Sequence, residues 1–178
     1  MLDHKIDSLP VDILKIAKAA NVRVIKNSTV HILNTGECGR SYSDGTNWYI
    51  VYNDSEPTEI SRFTIAHELG HCFLRHELKY IQYSHMRGVA PKPISEQQAN
   101  KFAIRLLCPA CVLWALELRT PEEISRYCKV DINIATERSK RMKTLYKRNK
   151  FLKDPLEQEV YKSFHQYISS NLENSLEK

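Results

Sequence analysis

The sequence predicts an α+β fold in which a small, mostly antiparallel sheet is accompanied by a larger number of helices. Three observations lead there. Only five glycines occur in 178 residues, too few for a chain of many tight turns. Several segments join a capping residue to apolar residues at helical spacing. Two short runs, residues 22–25 and 47–52, are rich instead in β-branched and aromatic residues.

Residues 8–20 begin with a capping-type serine and an early proline, carry apolar residues at helical spacing and stop at Asn21, which predicts a first helix. The two β-type runs follow, and Asp44-Gly45 offers a tight turn between Tyr42 and Trp48. From Ser61 to about Glu77 apolar residues fall on nearly every side of a helix, as in a segment lying inside a core. Residues 78–93 hold two tyrosines and a histidine with one glycine and two prolines, and read as a surface loop that could rim a site. Ser95-Glu-Gln-Gln98 has the form of a capping box, ahead of Ala99, Phe102, Ala103, Leu106 and Leu107 at helical spacing. Thr120-Pro-Glu-Glu123 repeats that logic for a short helix through Cys128, and a basic helix runs from Asn133 to about Asn149. In the tail, Leu156, Val160, Phe164 and Ile168 form an apolar stripe that docks on its own domain or on a second copy.

Composition narrows the functional classes. A chain 42% hydrophobic and 26% charged is that of a folded globular protein, and at this length about 70% of its unfolded surface is buried on folding. It needs neither disulfide nor metal merely to fold. The apolar-rich runs at 102–107 and 113–118 fall well short of the ~20 residues that span a bilayer, so no membrane partner is expected. Charge within the amino-terminal MLDHKID leaves no secretory signal, and five scattered cysteines are not the even framework of a secreted domain. These observations predict a cytoplasmic protein with reduced thiols. A net charge of +5 is modest for a dedicated nucleic-acid binder.

The segment FTIAHELGHCF, residues 63–73, places three ionisable groups in the apolar helix. His67 and His71, at i and i+4, share a face and can offer two imidazole nitrogens to one zinc ion. Glu68 projects beside them, placed to take a proton from a water held at the metal. Burying such groups is costly unless they are paired or bound to metal. For a third ligand, the position six residues after His71 is Glu77 where a metzincin has histidine, and His76 is off by one and reads as an exposed helix-end residue. Glu96, 25 positions downstream of His71, reads equally well as a ligand from a second helix or as a solvated first-turn acid. Asn100, one turn further, is placed to orient a ligand histidine through its free ring nitrogen.

RFTIAHELGH followed by EQQANKFAIRLLCP resembles the ImmA/IrrE family of zinc metallopeptidases, whose pattern is an HExxH helix and then ExxAN-FA--LLMP. The resemblance covers roughly residues 22–109, with a weaker continuation to about 142. It implies a zincin-like fold, a small sheet against the active-site helix, with His67, His71 and Glu96 as gluzincin-type zinc ligands and Glu68 as general base. It further implies cleavage of a DNA-binding, helix-turn-helix repressor of a mobile element, a phage-like region or a stress response. Trp48, Tyr49, Ile50, Val51 and Tyr52 are then an edge strand on which an extended substrate adds. Tyr80, Tyr83 and His85 are the candidate oxyanion donors, and read equally as exposed loop residues. Cys108 stands where the family commonly has methionine, and Cys108-Pro-Ala-Cys111 is read as buried packing.

The expected organisation is a metallopeptidase domain over 1–118, a weakly helix-turn-helix-like helical subdomain over 119–153 and a helical tail over 154–178. Direct DNA reading by residues 120–141 is disfavoured, because the turn at residues 129–131 lacks glycine and Ile132, Ile134 and Ala135 are available for packing. The basic run from Arg138 to Lys153 reads as a solvated face that could also hold an acidic partner or DNA phosphates. The alternative function is a regulator that binds a repressor or DNA without cutting and keeps a residual metal site. An intact Glu68 argues against it, since binding alone needs no carboxylate beside a metal.

Overall fold

Three strands and nine helices make up the described residues, 6–76 and 93–176, of the computed structural model, in keeping with the α+β class. They fall into two units, one of residues 13–103 and one joining residues up to 12 to those from 104 onward.

In the first unit, helix α1 (Ile13–Ala19) leads through Asn21, at φ 56°, into strand β1 (Val22–Lys26) and a single helical turn, α2 (Asn27–Val30). The first helix starts later than Ser8, beyond Pro10. Strands β2 (Gly39–Ser43) and β3 (Trp48–Tyr52) form a hairpin whose loop is held by Asp44: its Oδ1 accepts from the backbone N–H of Thr46 and Asn47 at 2.8 and 2.7 Å. Gly45 takes φ +91° there, a conformation L side chains rarely adopt.

Strand order is β1-β3-β2, with β3 antiparallel to β2 and parallel to β1. The sheet is therefore mixed, and only the hairpin matches the antiparallel expectation. A parallel neighbour needs a crossover of a dozen or more residues, and the chain between β1 and β3 supplies it. The order also corrects the substrate-edge reading of Trp48, Tyr49, Ile50, Val51 and Tyr52, because β3 is paired on both sides. Ile50 and Val51, which point to opposite faces, are both fully buried, the pattern of a central strand covered on both faces. Among the described residues the outer strands are β1 and β2.

Helix α3 (Thr58–Phe73) packs on β2 and β3. Its buried residues include Ile65, Ala66, Leu69 and both histidines, so it lies in the core as its all-round apolar pattern predicts. Gly39 brings β2 close to α3, since a side chain there would strike Thr64. Beyond Phe73, Arg75 turns left-handed at φ 51°, its N–H reaching the Cys72 carbonyl at 3.3 Å while the His76 N–H reaches that of His71 at 3.1 Å. These two bonds make a Schellman terminus with arginine in the usual glycine position.

Helix α4 (Ile94–Leu107) starts one residue ahead of Ser95, its first bond running from Gln97 N–H to the Pro93 carbonyl at 3.1 Å. Ser95 is thus inside the first turn, which corrects the capping-box reading. Gly70 of α3 faces Ala99 of α4 so closely that a Cβ at residue 70 would lie 3.1 Å from the Ala99 Cα and 3.2 Å from Phe102. Phe73 and Phe102 close the same contact, their rings 5.7 Å apart.

The second unit holds the end of α4 and helices α5 (Ala110–Ala115), α6 (Pro121–Cys128), α7 (Ile132–Lys147), α8 (Pro155–Ser163) and α9 (His165–Leu176). The Thr120 capping box forms as predicted: Glu123 N–H donates to Thr120 Oγ1 at 3.2 Å and Thr120 N–H to Glu123 Oε2 at 2.9 Å. Asp131 caps α7 more simply, its Oδ1 accepting from Asn133 N–H at 2.8 Å. Of the tail stripe, Phe164 and Ile168 are buried while Leu156 is exposed. Cys108 and Cys111 are buried and all five cysteines are free thiols. Among the described residues no helix is long and apolar enough to cross a membrane.

Candidate metal centre

One turn of α3 separates His67 from His71, and both rings reach Glu96 in the first turn of α4. Their Nε2 atoms are 3.0 Å apart. Glu96 completes the set with one carboxylate oxygen for each ring: Oε2 lies 3.3 Å from His67 Nε2 and Oε1 lies 3.2 Å from His71 Nε2. The side chains of His67, His71 and Glu96 are 10%, 9% and 17% exposed, so the cluster is largely withdrawn from water. The equal readings of Glu96 resolve here, because its carboxylate faces the histidines.

The fit to a metal ion follows from the spacing and the donor set. Tetrahedral coordination at roughly 2.0–2.1 Å places ligand atoms about 3.3 Å apart, close to the separations found. Two imidazole nitrogens 3.0 Å apart with a carboxylate oxygen near each make a donor set that a cation satisfies. Among the described residues this is the group of three whose ligand atoms lie within 4.8 Å of one another.

The three groups are also coupled electrostatically to one another. Hydrogen bonds from His67 and then His71 hold the Glu96 carboxyl well below the usual carboxylate range. Burial opposes charge on His67, but the hydrogen bond to Glu96 and the nearby Glu68 and Glu96 charges outweigh it and raise its pKa above the ordinary histidine value. Asn100 lies where the helical spacing puts it, its Oδ1 3.0 Å from His67 Nδ1. With Nε2 turned to the metal, Nδ1 carries the proton and donates to that oxygen.

Glu68 stands beside the cluster without joining it. Ser41, a buried residue of β2, donates from Oγ to Glu68 Oε2 at 2.7 Å, which ties one carboxylate oxygen to the sheet. Sequence reasoning missed Ser41, which is 27 residues from Glu68 and has no local signature. It also misplaced His76. That ring is half-buried and not merely a helix-end histidine: its Nδ1 lies 3.0 Å from His71 Nδ1, and its Nε2 lies 3.0 Å from Gln98 Oε1. The i+5 spacing behind a ligand histidine was the available signal. Cys72 is not part of the cluster, and its thiol is pushed up to about 12 by burial and the Glu68 charge. Tyr80, Tyr83 and His85 lie outside the described residues.

The model of the IrrE N-terminal-like domain, Peptidase_M78, matches residues 17–140, a span that contains every member of the cluster. Comparison with curated proteins gives no match.

Proposed function

Because the chain belongs to the IrrE N-terminal-like, Peptidase_M78 family, a metallopeptidase family, we propose that it is a zinc-dependent endopeptidase of the cytoplasm that cleaves a DNA-binding repressor. The observation that carries the enzymatic part is the placement of Glu68 beside, and not within, the His67–His71–Glu96 cluster. Two nitrogens and one carboxylate are the donor set of a catalytic zinc site that keeps an open position.

When bound, the ion supplies Lewis acidity, lowering the pKa of water and polarising a carbonyl. The chain's own residues do the rest. His67, His71 and Glu96 hold the ion, and Asn100 fixes the His67 ring. Glu68 takes a proton from the attacking water on the carboxylate oxygen that Ser41 does not hold, and delivers it to the departing amine. Of the two outer strands of the described sheet, β2, whose Ser41 already touches Glu68, replaces β3 as the place where an extended substrate adds a strand.

Free thiols at all five cysteines support the cytoplasmic reading. The repressor as substrate, from a mobile element or a stress response, rests on the ImmA/IrrE resemblance. The test is to incubate the zinc-loaded protein with helix-turn-helix repressors of its own genome and search for fragments by mass spectrometry. Wild type should cut one of them at a single site. Glu68→Gln should keep its metal and lose about 10²–10⁴ of the rate. Repressor bound but never cut would favour the non-cleaving regulator.

A further inference from the structure

Resting on the metallopeptidase reading, we propose that His76 is a positioning residue: a relay from His71 through His76 to Gln98 holds the His71 ring with its Nε2 lone pair free for the metal. Two independent features place His76. The first is the backbone. In a Schellman terminus the residue at the second position past the helix cap returns to the side chain three positions before the cap, commonly in an apolar contact. Here those residues are His76 and His71, and the bonds from Arg75 and His76 N–H to the Cys72 and His71 carbonyls bring the rings to 5.0 Å between centroids.

The second feature is proton accounting. His71 turns Nε2 toward His67 and Glu96, and a coordinating nitrogen carries no proton, so the ring's hydrogen is on Nδ1. His76 Nδ1, 3.0 Å away, must then accept, which puts the His76 hydrogen on Nε2. That nitrogen faces Gln98 Oε1 at 3.0 Å, an atom that only accepts. The chain of bonds therefore has one direction, set by the amide oxygen at its far end. Both nitrogens of His76 are committed, so it is not a fourth ligand. The two ligand histidines are oriented by one helix: Asn100 serves His67 directly and Gln98 serves His71 through His76.

The test is zinc affinity, by competition with a chromophoric chelator, with the cobalt(II) absorption spectrum as a second readout. His76→Ala should weaken zinc binding about 10-fold to about 100-fold at unchanged stoichiometry. His76→Asn, whose amide oxygen can reach the place of Nδ1, should recover most of it. Gln98→Leu, at an exposed position, should weaken binding less, and should add nothing in the His76→Ala background. Wild-type affinity in His76→Ala, or losses that multiply in the double variant, would overturn the relay. If His76→Ala fails to fold, the Gln98→Leu loss and the His71 tautomer, read from ¹⁵N–¹H couplings of the folded wild type, decide it. A hydrogen on Nδ1 supports the relay and one on Nε2 overturns it. Wild type that takes up no metal removes the metallopeptidase reading, and the tautomer then decides the relay alone.

Discussion

Ser41 Oγ and Glu68 Oε2 are 2.7 Å apart, so the carboxylate proposed as general base is carried by a helix and tied to the sheet. A hydrogen bond to a charged group contributes about 1.5–3 kcal/mol, which as lost orientation corresponds to about a 10-fold to 100-fold fall in rate. Ser41→Ala should show that fall in kcat with KM and zinc content unchanged. Loss of zinc from this variant would mean that Ser41 supports the ligands instead.

The metal-free protein should have a bounded pH optimum of stability. Glu96, with its pKa held below the ordinary 4.5 by His67 and His71, contributes stability that is present above that value and lost as pH falls through the folded one. His67 is raised above the ordinary 6.5 against the effect of burial. Its contribution is full below 6.5 and lost as pH rises through the folded value. Thermal melts in chelator should therefore peak between about 4.5 and about 6.5, and Glu96→Gln should flatten both sides. An unchanged profile in Glu96→Gln would count against the pairing.

Gly70→Ala should be destabilising although alanine is the better helix former. The new methyl would lie 3.1 Å from the Ala99 Cα and 3.2 Å from its carbonyl oxygen, and overpacking of this kind costs about 1–3 kcal/mol. Pushing α4 from α3 also moves Glu96 from the histidines, so zinc affinity should fall together with stability. Stability lowered at full zinc affinity would show that the strain is absorbed elsewhere.

Thr120→Ala removes the side-chain acceptor for Glu123 N–H and should cost about 1 kcal/mol. Denaturant unfolding should register it, and zinc binding should not. Thr120→Ser restores the hydroxyl and should recover the stability.

The site was legible in the sequence where its logic is local. His67, Glu68 and His71 lie on one stretch of helix, and Asn100 sits one turn from Glu96, so helical spacing alone predicts which can face which. The Thr120 cap is local in the same sense. Strand order is not: Trp48–Tyr52 carries the pattern of a good strand, and only the pairing with both β1 and β2 makes it central. Ser41 escaped because its partner is a residue on another element, reached through tertiary packing. His76 escaped because its return depends on Arg75 adopting φ 51°, which composition does not signal in a residue other than glycine or asparagine.

The contact between Gly70 and Ala99 has a consequence for how the protein meets its ion. The helices that carry the ligands are pressed together by their own backbones, so little of the ordering needed at the centre is left for the ion to impose. In small zinc modules, by contrast, the metal creates the fold and its removal denatures the chain. Here a stripped protein should remain folded and be reloaded without refolding, which would let metal supply turn a standing pool of the protein on and off.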